Sequence, residues 1–182
     1  PGAAARAVMA EPPYALARVR REHTLREAVP LLSLRDVMRG VAHAEHVLLS
    51  TYEADVAWLL RTLPELARVP CHLVHGMRAL DLGGVPLPPR MRVSSPPIRT
   101  RFGVHHTKLM LLFFADRVRV AVTTANLLEV DWTRKVQAVW VDEFPRKRAT
   151  APPACEFELT LAAYLERVDR ATLPRLHQYD FS

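Results

Sequence analysis

Two adjoining apolar segments in the middle of the chain constrain its fold most strongly. Thr107–Phe114 reads TKLMLLFF and Arg117–Thr124 reads RVRVAVTT, with ADR as the predicted tight turn between them. Short runs rich in β-branched and aromatic residues predict strands, and a strand that is apolar at nearly every position needs cover on both faces. We therefore expect a sheet with helices on each side.

Helical and strand-like patterns alternate along the rest of the chain. Ser33 is the predicted N-cap of a helix over 34–42, and Asp55 that of a helix over 56–63. Further strands are predicted from His46, over 71–74, briefly over 91–93 and over 135–141; an amphipathic helix over 155–170 and a short helix toward His177 follow. This alternation predicts the α/β class, a mixed β-sheet sandwiched between helices.

The length of 182 residues suits one globular domain, and we expect its first 30 residues to form an extended N-terminal segment. The chain begins with Pro1, so we expect it to be a piece of a longer protein. No apolar run approaches the roughly 20 residues of a membrane span, which predicts no membrane partner. Cys71 and Cys155, without CxxC spacing, argue against a disulfide or zinc framework.

Positive charge is concentrated rather than spread evenly. The net charge is +6, and no acidic residue occurs over 82–115. The basic residues of that segment are Arg90, Arg92, Arg99, Arg101 and Lys108. A polyanion could bind there, although a solvated basic loop is the simpler interpretation. The basic run over 146–148, inside FPRKRATAPPA, is interpreted as an exposed, solvated linker rather than a nuclear address.

Two adjacent histidines open the first central strand. Because side chains alternate along a strand, His106 and Lys108 are predicted to share one face while His105 points to the other. If the turn centres on Arg117, Lys108 lies opposite Asn126 in the antiparallel pair. His106, Lys108 and Asn126 would then form a polar cluster at the open end of an apolar hairpin.

Such a cluster could act on a phosphodiester. An ammonium and a carboxamide N–H can both hold the non-bridging oxygens, while an imidazole nitrogen attacks phosphorus. Since lysine supplies the positive charge, we expect neither a metal nor another cofactor. A histidine packed in the core is the competing interpretation. A zinc site at His105 and His106 is disfavoured, because adjacent strand residues diverge.

The segments FGVHHTKLMLLFF and TANLLEVDWTRKVQAVW resemble the first catalytic motif of the tyrosyl-DNA phosphodiesterase 1 family, a branch of the phospholipase D superfamily. Weaker similarity includes LLSTYEADVAWLL and LVHG. The resemblance implies a phospholipase D-like domain in which His106 forms a phosphohistidine, Lys108 and Asn126 hold the phosphate, and Gln137 supports the site. Ala125 and Ala138 replace a common serine and glycine, which are small departures.

The resemblance also implies a substrate, partners and a location. The substrate would be DNA whose 3′ end is linked to a tyrosine of stalled topoisomerase I, in the nucleus. The partners would be a single-stranded DNA 3′ end and a topoisomerase I-derived peptide. Phe102 would stack on a base, with Arg101 and Tyr52 close to the DNA; a tyrosine that caps the core is an equal alternative for Tyr52.

Family members carry a second His-x-Lys motif in a second domain, and no other histidine here has a lysine two residues later. The resemblance therefore implies one half of a pseudodimer, with a second phospholipase D-like domain in the parent protein. Two alternatives stay open: a catalytically incomplete half that binds DNA or protein, and a homodimeric phospholipase D-type nuclease. His72 and His75 are interpreted as packing and hydrogen-bonding residues, and Asp131 and Trp132 as fixing the turn after Asn126.

Overall fold

The computed structural model describes residues 14–17, 31–98, 100–150 and 152–182, and its strands form one mixed eight-stranded sheet. The strands are β1 Tyr14–Ala17, β2 Leu31–Leu32, β3 His46–Thr51, β4 Cys71–His75, β5 Met91–Ser94, β6 Leu109–Phe113, β7 Arg117–Thr123 and β8 Ala138–Pro145. The α-helices are α1 Leu34–Val37, α2 Val56–Thr62, α3 Glu129–Thr133, α4 Glu156–Val168 and α5 Leu173–Leu176. The strand order is β2-β1-β8-β7-β6-β3-β4-β5. Strands β3, β4 and β5 run parallel, whereas β6, β7 and β8 form an antiparallel meander joined to β3.

Strand β6 shows why the sheet needs cover on both faces. Leu109, Leu111 and Phe113 pack toward α4 and α5, while Met110 and Leu112 pack toward α1 and α2. All five side chains are buried, and each contributes about 1.5–3 kcal/mol through removal of apolar surface from water. The predicted mixed sheet between helices is confirmed.

The first predicted helix is interrupted. Ser33 caps α1 in a capping box with Asp36, as its position predicts. The helix then ends at Val37, because Gly40 adopts a positive φ of 84°, and a separate 3-10 helix covers Val41–His43. The prediction of one continuous helix over 34–42 is wrong, since the apolar spacing continues across a break that glycine permits.

The predicted hairpin register is wrong by three residues. Phe114 and Arg117 form the last hydrogen-bonded pair of the hairpin, because the Phe114 N–H donates to the Arg117 carbonyl at 2.8 Å. The turn between them consists of Ala115 and Asp116. Leu109 therefore pairs with Val122. The Thr123 N–H donates to the Lys108 carbonyl at 3.2 Å, so Thr123 rather than Asn126 lies opposite Lys108.

The segment predicted to be a solvated linker is anchored instead. Strand β8 starts at Ala138, later than predicted, and runs to Pro145. Arg146 donates to the Ala115 carbonyl at 2.9 Å, and Lys147 binds Glu158 of α4 at 2.6 Å. These two basic side chains fasten the end of the sheet to the turn and to α4.

Part of the predicted N-terminal segment belongs to the sheet. Tyr14–Ala17 pair antiparallel with β8 and parallel with β2. The rest of residues 1–30 lie outside the described residues. Within the described ranges, no helix has the length and apolar character required to cross a membrane.

Candidate active site

The candidate site lies at one edge of the sheet, where four strand ends meet. Parallel strands β3 and β4 finish at this edge, and the antiparallel pairing makes β6 begin and β7 end there. Four residues are placed at this edge by the strand bounds: Thr51 as the last residue of β3, Gly76 after β4, Lys108 before β6 and Asn126 after β7.

His106 and Lys108 are in direct contact. The Lys108 ammonium donates to Nδ1 of His106 at 2.9 Å and to the His106 carbonyl at 3.0 Å. The His106 side chain is exposed, whereas Lys108 is only 7% exposed. Burial lowers the pKa of Lys108, and the negative charge of Asp131 partly opposes that shift. The pair therefore presents an accessible imidazole beside a largely desolvated cation.

Asn126 is held from three sides. Its Oδ1 accepts from the Glu53 N–H at 3.4 Å and from the Thr51 hydroxyl at 3.5 Å, while its Nδ2 donates to Asp131 at 3.1 Å. Within the described ranges, it makes no hydrogen bond to His106 or Lys108. The predicted three-residue cluster is therefore a His106–Lys108 pair with a separately oriented amide at the same edge.

Asp131 organises the segment that carries Asn126. It is buried and accepts from the Asn126 backbone N–H at 2.8 Å, and Trp132 donates to the Asn126 carbonyl at 2.8 Å. The interpretation that Asp131 and Trp132 fix this turn is confirmed. Burial alone would raise the pKa of Asp131, but the hydrogen bonds from Lys135, at 2.6 Å, and from Asn126 lower it. The electrostatic effect of this carboxylate on Lys108 was not predicted from the sequence.

His105 points away from His106, as strand alternation predicts. Its Nε2 lies 2.7 Å from the Ser50 hydroxyl, and its ring is buried and stacked at 6.2 Å from Tyr164 of α4. Burial lowers the pKa of His105, and the charges of His75, Lys108 and His106 lower it further. His105 is therefore a neutral, internal neighbour of the exposed His106.

Gly76 allows the close approach of two site residues. A Cβ at this position would lie 2.0 Å from the His105 carbonyl oxygen and 2.7 Å from the Tyr52 ring. The Tyr52 and His106 rings are 5.0 Å apart and inclined by 31°. Tyr52 therefore lies beside the exposed histidine. Gly76 is a site residue that sequence analysis missed, although its place directly after β4 was visible.

Gln137 lies at the same edge but outside the His106–Lys108 pair. The Thr124 hydroxyl bonds to Gln137 Oε1 and accepts from the Ala138 N–H at 3.0 Å. Across the described part of the chain, Gln137 makes no hydrogen bond to His106 or Lys108. Its contact with Thr124 ties the start of β8 to the end of β7.

The basic segment over 82–115 does not form one uniform surface. Phe102 is 88% exposed, and the Arg101 guanidinium lies 5.3 Å from the centre of its ring. By contrast, Arg92 binds Asp169 at 2.8 Å and Arg90 donates to the Arg68 carbonyl at 3.0 Å. Arg99 lies outside the described residues.

His72 belongs to a separate, closed network. The His72 Nδ1–H donates to Asp169 at 2.8 Å, and its Nε2 lies 2.7 Å from the Ser94 hydroxyl. Burial alone would raise the pKa of Asp169, but hydrogen bonds from His72 and Thr172 hold it well below its usual value. The interpretation of His72 as a packed, hydrogen-bonded residue is confirmed.

Comparisons with known proteins identify the family and the fold of this chain. The family model described as tyrosyl-DNA phosphodiesterase matches residues 13–182. Tyrosyl-DNA phosphodiesterase 1 of Arabidopsis thaliana is 35% identical over 146 residues, covering 74% of this chain and 23% of that protein. The yeast tyrosyl-DNA phosphodiesterase structure aligns with a TM-score of 0.72 at 14% identity, covering 93% of this chain and 42% of that one. NucT from Helicobacter pylori aligns with a TM-score of 0.50 at 13% identity, covering 81% and 89%. This chain thus spans less than half of the Arabidopsis and yeast proteins.

Proposed function

Since this chain belongs to the tyrosyl-DNA phosphodiesterase family, we propose that it supplies the attacking histidine of an enzyme that hydrolyses 3′-phosphotyrosyl DNA. The observation that carries the proposal is the exposed His106 ring, bound at 2.9 Å by the largely buried Lys108 ammonium. A nucleophile must be reachable, whereas a cation that stabilises charge acts most strongly when it is shielded from water. The pair meets both requirements.

The first step is substitution at phosphorus. The Lys108 ammonium turns from His106 to a non-bridging phosphate oxygen, and the second N–H of the Asn126 amide donates to another. An imidazole lone pair of His106 forms the P–N bond while the P–O bond to tyrosine breaks. The tyrosine leaves as a phenolate with a pKa near 10, so it benefits from a proton donor. The product is a phosphohistidine that carries the DNA 3′ end.

The second step returns the enzyme to its starting state. Water attacks phosphorus, the P–N bond breaks, and the DNA keeps a 3′ phosphate. A group must first protonate the leaving phenolate and then take a proton from water. We propose that a second phospholipase D-like domain of the parent protein supplies this group. The short coverage of the Arabidopsis and yeast proteins by this chain supports that arrangement.

The DNA is proposed to approach across the exposed 100–104 loop. Phe102 is accessible for stacking on a base, and Arg101 adds positive charge at its side. Tyr52 lies against His106, where it contacts the nucleotide nearest the phosphorus. Gln137 supports the same edge through Thr124. The proposed ligands are a single-stranded 3′ end and a topoisomerase I-derived peptide, and the proposed location is the nucleus.

A homodimeric nuclease is the second candidate. The alignment with this chain covers 89% of NucT, so NucT is a chain little longer than one domain of this fold. Two copies of this chain would then each contribute a His106–Lys108 pair across a two-fold axis. Light scattering distinguishes the candidates, because the site of the second candidate is complete only when two copies of this chain associate.

The test uses an oligonucleotide with a 3′-(4-nitrophenyl phosphate), whose leaving group needs little protonation. We expect the 182-residue chain to release about one equivalent of nitrophenolate and then stop, with or without EDTA, while His106→Ala releases none. Absence of release from the native chain, or release that requires a restored divalent metal, would overturn the proposal. Repeated turnover by a dimer would favour the nuclease, and repeated turnover by a monomer would contradict the need for a second domain.

A further inference from the structure

A hydrogen-bonded group of two buried side chains and one half-buried side chain lies behind the exposed His106. It consists of Ser50 on β3, His105 before β6 and Tyr164 on α4, and we call it the Ser50 group. The Ser50 hydroxyl is its centre, 2.7 Å from His105 Nε2 and 2.7 Å from the Tyr164 hydroxyl. These residues come from three distant parts of the sequence and meet next to one reactive side chain.

The Ser50 hydroxyl can bind both His105 and Tyr164 at the same time. A hydroxyl has one hydrogen to donate and two lone pairs to accept. It also lies 3.3 Å from the Thr107 carbonyl, on the residue that follows His106. Removal of the Tyr164 hydroxyl therefore deprives Ser50 of a partner and loosens the attachment of residues 105–107 to the sheet.

The backbone of His105 is confined on its other side by Gly76. The space that a Cβ would occupy there holds the His105 carbonyl oxygen, 2.0 Å from the ideal Cβ position. His105 is thus fixed through its ring by the Ser50 group and through its carbonyl by Gly76. Because consecutive extended residues point in opposite directions, a fixed His105 also sets the direction of His106.

The next residue of β3 serves the other side of the site. The Thr51 hydroxyl lies 3.3 Å from the Leu127 N–H and 3.5 Å from the Asn126 side chain. Ser50 and Thr51 therefore attach the His106 segment and the Asn126 segment to one strand. A shift of either attachment changes the distance between nucleophile and phosphate-holding amide.

We infer that the Ser50 group is a positioning device for the reaction, in which Tyr164 of α4 holds His106 at attacking distance through Ser50 and His105. The inference rests on the proposed function of His106. None of the three side chains is assigned contact with substrate. Small displacements of reacting groups are costly, since a misplacement of about 1 Å can slow a reaction by about 100-fold.

The central test compares two tyrosine-to-phenylalanine variants. Tyr164→Phe removes the hydroxyl that binds Ser50. Tyr179→Phe is the matched control, because its buried hydroxyl donates to the Phe114 carbonyl at 2.7 Å on the same face of the sheet but away from His106. We expect Tyr164→Phe to slow nitrophenolate release by about 10- to 100-fold at saturating oligonucleotide, with an unchanged Kd. Tyr179→Phe should lower the melting temperature and leave the rate unchanged.

Three further variants separate a positioning role from simple unfolding. His105→Gln keeps an amide near the position of Nε2 and should retain most of the rate, whereas His105→Leu should lose it. Ser50→Ala combined with Tyr164→Phe should be no slower than the slower single variant, since both break one connection. Rates within twofold of the native rate for Tyr164→Phe, or equal rates for His105→Gln and His105→Leu, would overturn the inference.

A measurement without substrate separates this inference from the proposed function. Nitrogen-15 NMR of the His106 ring should show one tautomer, with the proton on Nε2, because Lys108 donates to Nδ1. In Tyr164→Phe we expect a mixture of tautomers, and in Tyr179→Phe the native signal. If the native chain releases no nitrophenolate, the proposed function fails, and these spectra alone decide the positioning role. Identical spectra in all three proteins would then refute it.

Discussion

At the carboxyl ends of β3 and β4, His106 presents an exposed ring beside Lys108, whereas near the amino end of β4 the buried His72 is bound at both ring nitrogens. Both histidines lie within 3 Å of a charged side chain. They differ in access, because His72 is only 3% exposed and is enclosed by Asp169 and Ser94. Under the proposed function, an accessible ring beside a desolvated charge, rather than hydrogen bonding itself, separates the attacking His106 from the structural His72.

The largest effect should follow from removal of the Lys108 cation beside His106. Lys108→Met deletes the charge proposed to stabilise the phosphate in the transition state, so the rate of nitrophenolate release should fall by about 1,000-fold. Lys147→Met is the matched control, since Lys147 binds Glu158 far from the site. If the Lys108→Met rate is within tenfold of the native rate, the desolvated charge does not distinguish His106 from His72.

Substitutions in the network around His72 should lower the stability of the chain rather than the reaction rate. Asp169→Asn takes the negative charge from a buried carboxylate that pairs with His72 and Arg92, so the free energy of unfolding should fall by about 3 kcal/mol. Urea denaturation measures this loss. Release of nitrophenolate by the folded variant should match the native rate, and a tenfold slower rate would show that the closed network also serves the reaction.

A substitution of Asp131 tests the electrostatics around Lys108. Burial lowers the pKa of Lys108 and Asp131 opposes the shift, so Asp131→Asn should lower that pKa further. Since Lys108 must be protonated to bind phosphate, activity should disappear at a lower pH than in the native chain, with about 30-fold less activity at its optimum. A rate profile over pH 6–10 measures both changes, and Asp116→Asn, which removes an exposed carboxylate in the turn at the other end of the β6–β7 hairpin, serves as the control. If the alkaline limb of the pH–rate profile does not shift, Asp131 only fixes the turn after Asn126 and does not affect the pKa of Lys108.

His46 should give the smallest effect, again in stability. Burial, together with the nearby charge of Arg175, lowers its pKa to about 4 from an ordinary value of 6.5. As the pH falls, His46 is therefore protonated in the unfolded chain before it is protonated in the folded chain. Stability that is present above pH 6.5 is lost as the pH falls toward 4. We expect a loss of about 1 kcal/mol between pH 7 and pH 5.5. His46→Gln should lose less than the native chain over this range, and an equal loss would contradict the assignment.

Sequence patterns predicted the strands and the contact between His106 and Lys108, because both depend on residues close together in the chain. The same local reasoning failed where one residue decides the outcome. Gly40 breaks a helix whose apolar spacing continues, and a two-residue turn at Ala115 and Asp116 changes the hairpin register. An apolar strand tolerates such a shift, since either face of it can be buried.

Long-range contacts at the site could not be read from the sequence. Tyr164 meets Ser50 across more than a hundred residues, and Asp169 pairs with Arg92, which offsets part of the positive charge predicted for this surface. Neither contact has a spacing rule, because each depends on how α4 crosses the sheet. Asp131 was visible as a turn residue, but its influence on Lys108 depends on burial in the folded chain.

The most direct test is to locate the covalent DNA adduct. After one round of reaction with the 3′-(4-nitrophenyl phosphate) oligonucleotide, digestion at neutral pH and mass spectrometry should place an acid-labile nucleotide on His106 alone. The adduct should be absent from His106→Ala and undiminished in His72→Gln. An adduct on another side chain, or its persistence in His106→Ala, would contradict the assignment of His106 as the nucleophile.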